Sequence, residues 1–205
     1  KSVALSISFI ILLHQHIWAS VVVNTQYGPI EGQPNGNVIQ FLGIPFAKPP
    51  VDTLRWRAPL PPDSWSTTLQ TNAFKPACPQ KQFGPTDTAG TIKGNEDCLY
   101  LNVWTPGTDT LTRPVMVFIH GGGNQQGAAG ESANGTSIYF GKNMADRSDV
   151  VIVTIQYRLG ALGYMVHPGL EAESSNGKAG NYGVLDQVLA LQWVKNNIHL
   201  FGDRK

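Results

Sequence analysis

Charge is scarce in this chain of 205 residues: only 14% of the residues are charged, and the formal net charge is +1. A nearly neutral chain offers no excess of basic or acidic surface, so a nucleic acid or a strongly charged partner is not expected. The sequence also lacks the spacing of histidines, cysteines and carboxylates that is typical of metal sites, and it lacks a phosphate-binding glycine loop. We therefore expect neither a metal ion nor another cofactor.

Long apolar runs are also absent, and the stretch from Val3 to Leu13 is too short to span a bilayer comfortably. Lys1 precedes this stretch, and the small residues Ala19 and Ser20 follow it, which is the pattern of a secretory signal peptide over residues 1–19. A buried helix or a membrane anchor is the alternative interpretation. Because the chain begins with lysine rather than methionine, the natural start of this segment stays open. We expect a secreted protein without a membrane span.

Cysteine is nearly absent as well, with two residues, Cys78 and Cys98. An even number of cysteines in a secreted chain favours a disulfide, and two unrelated buried thiols are the alternative. The triplet that begins at Asn134 is the one N-glycosylation sequon of the chain. Such triplets often arise by chance, so glycosylation of Asn134 is an expectation that the sequence alone leaves open.

The hydrophobic pattern of residues 20–205 predicts an α/β fold in which strands alternate with at least one long helix. The predicted strands are Val21–Thr25, Val38–Leu42, Leu99–Trp104, Val115–Ile119 and Val150–Ile155. The last two are near-continuous apolar runs, as parallel strands covered on both faces require. Between Val184 and Asn196 the period becomes helical, with Asn181 as the predicted N-cap. The stripe predicted to pack on the sheet consists of Val184, Val188, Leu191 and Val194, widened by Leu185, Leu189 and Trp193.

A glycine cluster, His120-Gly121-Gly122-Gly123, follows the apolar run from Pro114 to Ile119 directly. Successive glycines let the backbone turn sharply and leave N–H groups that no side chain covers. Such groups at the end of a strand can stabilise the oxyanion that develops during acyl transfer. A cluster of this type forms part of the oxyanion hole in lipases and esterases. Three glycines alone are weak evidence for an oxyanion hole, so the interpretation depends on the sequence around them.

Those surroundings resemble the type-B carboxylesterases, the cholinesterase-like branch of the α/β-hydrolases. Glu96–Val103 spells the E-D-C-L-Y-L-N-V signature of that family. Further matching blocks follow in the family's order from about Val21 to Asp203, and they are Phe41–Ala47, Tyr157–Gly160, Gly180–Gln187 and Ala190–Val194. The resemblance implies an α/β-hydrolase fold with a mixed, mostly parallel sheet and helices on both faces, truncated before the strand that carries the nucleophile.

The resemblance also implies roles for individual residues. Gly122 and Gly123 would donate two N–H groups to the oxyanion hole, and a third donor would follow the nucleophile. The structural pairs that it implies are the disulfide Cys78–Cys98 and the ion pairs Arg158–Asp186 and Arg55–Glu96. The substrate would be a small-molecule carboxylic ester, hydrolysed through an acyl-enzyme.

The chain departs from the family where the nucleophile would follow. The family carries its serine in a G-E-S-A-G elbow after F-G-G-D-P and one further strand, whereas this sequence reads Phe201-Gly202-Asp203-Arg204-Lys205 and stops. We therefore expect residues 20–205 to be the N-terminal part of the domain, without the catalytic serine, acid and histidine, and inactive alone. Gly130–Asn134 nearly spells the elbow, but no buried strand precedes Ser132 and no helical pattern follows it, so Ser132 is predicted to be a loop residue.

Two further departures concern the substrate. Asn124–Gln126 is polar where many relatives carry an apolar residue that faces the acyl pocket. The loop between the cysteines contains no tryptophan, with Phe83 as its one aromatic residue, whereas cholinesterases hold a quaternary ammonium by cation–π contact with a tryptophan in that loop. A choline ester is therefore not the expected substrate. The alternative function is a non-catalytic esterase-like adhesion or binding protein, which would not require intact glycines at 121–123.

Overall fold

The computed structural model describes residues 20–81, 91–130, 132–133, 136–137, 139–175 and 177–202. Within these residues the strands are β1 (Val21–Asn24), β2 (Pro29–Asn35), β3 (Val38–Pro45), β4 (Leu69–Gln70), β5 (Gln80–Lys81), β6 (Ile92–Lys93), β7 (Tyr100–Thr105), β8 (Val115–Ile119), β9 (Ser132–Ala133), β10 (Thr136–Ser137) and β11 (Val151–Ile155). The helices are α1 (Lys142–Ser148), α2 (Gly160–Tyr164), α3 (Pro168–Glu173) and α4 (Tyr182–Asn197), with 3-10 turns at Asp52–Leu54 and Ile198–Phe201.

Three sequence predictions lie outside the described residues: the signal peptide over residues 1–19, the sequon at Asn134 and the position of Phe83. None of the described helices is long and apolar enough to cross a membrane.

The central sheet has the strand order β1-β2-β3-β7-β11-β8, with β4 beside β2. The α/β class and the mixed sheet are confirmed, but the expected majority of parallel strands is not found in the described part of the chain. Only β8–β11 and β2–β4 are parallel within this sheet. The first three strands are joined by tight turns, which allow antiparallel pairing alone, whereas α1 lies between β8 and β11 and provides the longer crossover that a parallel pair needs.

Helices cover both faces of the sheet, as expected. Phe41, Val103 and Val153 share a register position across β3, β7 and β11, and they belong to the core cluster that includes Ala190 and Trp193 of α4. The opposite face carries Trp104 and Ile152, which pack with Ala145 of α1. The two cores therefore fix the sheet between α4 and α1.

The prediction of which α4 face is buried was only partly right: Trp193 and Val194 are buried and Leu189 is partly buried, but the other predicted positions are not. Val184, Val188 and Leu191, predicted to face the sheet, are exposed. The buried positions of α4 are Tyr182, Gly183, Asp186, Ala190, Trp193, Val194 and Asn197. The reason is that Asp186 pairs with a buried arginine beneath the helix, which turns the Asp186 face inward. Asn181 does precede α4, but its side chain makes no capping hydrogen bond, and its backbone adopts φ 56° instead.

Strand β8 also differs from its prediction as a strand covered on both faces. It forms the edge of the sheet within the described residues, and its side chains Met116, Phe118 and Ile119 are exposed. Its parallel partner β11 is buried along its whole length. An apolar strand with one open edge is a surface to which further chain can pair.

The disulfide between Cys78 and Cys98 is present, and both residues are fully buried. It joins the segment before β5 to the residues that lead into β7. A loop of this length, when closed, stabilises a fold by roughly 3 kcal/mol, mainly because it restricts the unfolded chain.

The double variant Cys78→Ala/Cys98→Ala is therefore expected to lose about 3 kcal/mol of unfolding free energy. Urea denaturation of the oxidised protein and of the variant measures this difference. A reducing agent should lower the midpoint of the parent protein and leave that of the variant unchanged. Equal midpoints for the oxidised parent and the variant would contradict a stabilising role.

Candidate functional site

The glycine loop runs from His120 to Gly127 and begins where β8 ends. Because β8 and β11 are parallel, with Ile119 opposite Ile155, the residues that follow both strands meet at one edge of the sheet. There the ring of His120 stacks on that of Tyr157, with centroids 4.4 Å apart. The Tyr157 hydroxyl donates a hydrogen bond of 2.8 Å to the His120 carbonyl oxygen. The start of the loop is thus fixed on the end of β11.

The loop has a backbone that only glycine adopts readily. Gly122 has φ 117° and Gly123 has φ 62°. The Gly122 carbonyl oxygen accepts hydrogen bonds from the N–H groups of Gln125 and Gln126, at 3.1 and 3.2 Å. A Cβ atom on Gly122 would collide with the Gln126 carbonyl oxygen, whereas a Cβ on Gly123 would meet no atom within 4 Å. Gly122 therefore needs its missing side chain for space, and Gly123 needs it for conformation.

The N–H groups of Gly122 and Gly123 are the two oxyanion donors that the resemblance implies. Neither N–H donates a hydrogen bond to any part of the chain that the structure describes, and both residues are exposed. Gly123 lines an open cavity of about 640 Å³ together with Asn124, Gln125, Gly160, Ala161 and Tyr164. Adjacent backbone N–H groups in such a turn form a concavity that suits an anionic oxygen.

A buried ion pair anchors the same edge of the sheet to α4. Arg158 follows Tyr157, and its Nε and Nη2 donate to the Asp186 carboxylate at 2.8 and 2.7 Å, while its backbone N–H donates at 3.0 Å. Both side chains are almost completely buried. Burial raises the pKa of Asp186, and the hydrogen bonds from Arg158 oppose that shift. This pair, which the resemblance implied, is present.

The second implied ion pair, Arg55–Glu96, is also present. The Arg55 guanidinium donates two hydrogen bonds to Glu96, at 2.6 and 2.9 Å. The hydrogen bonds that the guanidinium donates to Glu96 raise the pKa of Arg55. Since Arg55 lies in the loop after β3 and Glu96 lies two residues before Cys98, the pair joins two irregular segments to each other.

Sequence reasoning missed one contact of the glycine loop, made by Gln80. The buried Gln80 side chain forms two hydrogen bonds with the backbone of Gly127, both at 2.8 Å, and a third with the Cys78 carbonyl oxygen, at 3.0 Å. The only signal in the sequence is its place two residues after a disulfide cysteine, and that spacing alone predicts no contact with residue 127.

The remaining candidate residues lie apart from the loop. Ser132 begins the short hairpin of β9 and β10, so its backbone is not followed by the helix that a nucleophile elbow requires. His167 is exposed and accepts a hydrogen bond from the Gly169 N–H at the start of α3, and His199 is exposed as well. Over the described ranges, no group of three or more histidine, cysteine or acidic side chains could hold a metal ion.

Comparison with known proteins gives consistent matches. A model of the carboxylesterase family matches residues 19–205. Fumonisin B1 esterase of Sphingopyxis macrogoltabida is 44% identical over 187 residues, which cover 89% of this chain and 32% of that protein. Para-nitrobenzyl esterase of Bacillus subtilis is 39% identical over 186 residues, which cover 88% of this chain and 35% of that protein.

Solved structures match equally well. A carboxylesterase of Geobacillus stearothermophilus superposes with a TM-score of 0.73 at 40% identity, over 89% of this chain and 36% of that one. The chain therefore spans about a third of the length of these relatives.

Proposed function

This chain belongs to the carboxylesterase family, and from that premise we propose that it forms the oxyanion-binding part of a secreted serine esterase. Gly122 and Gly123 would donate their N–H groups to the oxygen of a tetrahedral intermediate. The observation that carries the proposal is the glycine loop itself. Its two N–H groups make no hydrogen bond to the described chain, and its conformation is fixed at both ends.

The remaining catalytic groups would lie in chain that follows residue 205. The relatives are about three times as long as the aligned region, which supports this proposal. The open edge of β8 supports it as well, because the exposed side chains of Met116 and Phe118 would be covered by another strand beside β8. That strand would bring its carboxyl end next to the glycine loop.

In the proposed reaction, a serine hydroxyl oxygen attacks the ester carbonyl carbon while a histidine accepts the hydroxyl proton. The carbonyl oxygen becomes an oxyanion and accepts hydrogen bonds from Gly122 and Gly123. Collapse of the tetrahedral intermediate expels the alcohol, which takes the proton from histidine, and leaves an acyl-serine. A water molecule then attacks the acyl-serine by the same steps, which releases the carboxylic acid and restores the serine. This chain contributes the electrostatic part of that cycle.

The proposed substrate is a small-molecule carboxylic ester. Gly123, Asn124 and Gln125 line the cavity beside the donors, so its wall is polar on this side. The absence of a tryptophan between Cys78 and Cys98 supports an ester other than a choline ester. The buried disulfide and the signal peptide pattern of residues 1–19 support secretion. A purely adhesive protein would gain nothing from a loop whose N–H groups stay open, so the esterase is the preferred function.

The coding sequence after Lys205 provides the first test. A segment of the G-E-S-A-G type within some fifteen codons is expected, and its absence would favour the adhesive alternative.

Ester turnover provides the second test and also decides the status of Ser132. In the complete protein, Ser132→Ala is expected to hydrolyse a chromogenic ester at the parent rate, because the backbone at Ser132 begins a hairpin rather than an elbow. Residues 20–205 alone are expected to give almost no turnover, since oxyanion donors without a nucleophile retain only a small residual catalysis. Loss of turnover in Ser132→Ala, or turnover by residues 20–205 that this substitution abolishes, would overturn the proposed location of the nucleophile.

A further inference from the structure

The glycine loop is fixed at its two ends by different parts of the chain. Its start is fixed by the contact between His120 and Tyr157, described above. Its end is fixed by the side-chain amide of Gln80, whose Oε1 accepts the Gly127 N–H and whose Nε2 donates to the Gly127 carbonyl oxygen, each at 2.8 Å. A paired amide contact of this kind restrains both the position and the orientation of the Gly127 backbone.

Gln80 is itself held on a rigid support. Its Nε2 also donates to the Cys78 carbonyl oxygen, and the disulfide joins Cys78 to the buried residues before β7. Gln156, directly after β11, makes a parallel link, because its side chain accepts the Ala129 N–H at 3.2 Å and donates to the Pro76 carbonyl oxygen at 3.4 Å. Two buried glutamines therefore connect the far end of the loop to the segment that the disulfide anchors.

The backbone packs closely around Gly127. A Cβ atom on Gly127 would collide with the Gly121 carbonyl oxygen and with the His120 ring. The end of the loop therefore packs against its own start. A shift of Gly127 would be transmitted to Gly121 and from there to Gly122.

We propose that Gln80 is a positioning residue of the oxyanion site: its amide holds Gly127 and so sets where the N–H groups of Gly122 and Gly123 point. This inference rests on the proposed esterase function, since it assigns Gln80 a role in the same site. Gln80 acts through the loop and does not touch the substrate. Because the donors act mainly on the charge of the transition state, misplacing them lowers kcat more than it raises KM.

The experiment compares Gln80→Met with Gln70→Met in the complete protein. Methionine keeps the length of the side chain and removes all three hydrogen bonds of Gln80. Gln70 is the matched control, because its side chain is exposed and pairs with Glu31 far from the loop. We expect Gln80→Met to lower kcat roughly 10- to 100-fold with KM changed less than about threefold, and Gln70→Met to match the parent. Affinity for a trifluoromethyl ketone, whose adduct carries an oxyanion, should fall by the same factor as kcat.

A second readout separates this inference from the proposed function. Hydrogen exchange of the amides of Gln125, Gln126 and Gly127, whose N–H groups donate hydrogen bonds in the loop, is expected to accelerate at least tenfold in Gln80→Met and not in Gln70→Met when followed by mass spectrometry. If the parent protein hydrolyses no ester, the proposed function fails, and the exchange rates still decide whether Gln80 holds the loop. If Gln80→Met does not fold, Gln80→Glu replaces it, since glutamate keeps the acceptor for Gly127 N–H and loses the amide donor. Unchanged exchange, or a fall in thermal stability with unchanged kcat and KM, would overturn the positioning role.

Discussion

Replacing Gly122 by alanine in the complete protein is expected to lower kcat for ester hydrolysis by roughly 100- to 1,000-fold, the loss that follows removal of one oxyanion donor. Gly122 has φ 117°, and a Cβ atom there would collide with the backbone of Gln126. The turn must therefore open, and this displaces the N–H groups of both Gly122 and Gly123. Steady-state kinetics should show the loss in kcat, with a much smaller change in substrate affinity.

Gly121→Ala is the matched control for this experiment. Gly121 lies next to the proposed donors, its φ is not positive, and a Cβ atom on it would meet nothing within 4 Å. Near-parent turnover is expected for this variant. Equal losses of kcat at Gly121 and Gly122 would mean that any side chain in the loop disturbs it, whether or not the turn must open. An unchanged kcat in both variants would mean that the loop takes no part in catalysis.

Gly123 tests the electrostatic part of the same claim. Its φ of 62° strains alanine, but open space surrounds it, so Gly123→Ala should cost less than Gly122→Ala. Gly123→Asp should turn over more slowly than Gly123→Ala, because a carboxylate would oppose the negative charge of the oxyanion. Equal rates for the two Gly123 variants would contradict an oxyanion at this position.

Removing the carboxylate of Asp186 is expected to cost about 3–5 kcal/mol of unfolding free energy. Asp186→Ala leaves the Arg158 guanidinium buried without its partner, since the Arg158 side chain is only 3% exposed. It also releases the contact that turns this face of α4 toward the sheet. Urea denaturation of the parent and variant proteins measures the loss.

Two comparisons make the ion-pair experiment specific. Asp63→Ala removes the partner of Lys48 in an exposed ion pair, and such pairs contribute at most about 1 kcal/mol. The double variant Arg158→Met/Asp186→Leu, which removes both charges, should be more stable than Asp186→Ala alone. If Asp186→Ala costs no more than Asp63→Ala, the buried pair does not hold α4.

Most of the sheet could be predicted from the local sequence pattern, because its central strands are either continuously apolar or alternate between apolar and polar residues. β1, β3, β7 and β11 lie where the sequence placed strands, with ends shifted by up to three residues. β2 was missed because its sequence, Pro29–Asn35, is mostly polar and contains two residues that break strands, Gly32 and Pro34. Its pairing with β1 and β3 comes from the tight turns on either side.

The incorrect predictions of burial for α4 and β8 share one physical cause: burial depends on partners that are distant in the sequence. The face of α4 is chosen by Arg158, which precedes Asp186 by 28 residues, and hydrophobic periodicity carries no trace of that pair. The exposure of β8 depends on which strands lie beside it. The glycine loop was predictable because its backbone requirement is local, whereas the contact of Gln80 with Gly127, which spans 47 residues, was not.

The structure of a phosphonate adduct of the complete protein would show whether the glycine loop binds the oxyanion. An activated alkylphosphonate ester that phosphonylates a catalytic serine leaves a tetrahedral group whose oxygen mimics the oxyanion. We expect an adduct on a serine beyond residue 205, with that oxygen about 2.7–3.1 Å from the amide nitrogens of Gly122 and Gly123. An adduct on Ser132, or a phosphonyl oxygen that points away from both amides, would contradict it.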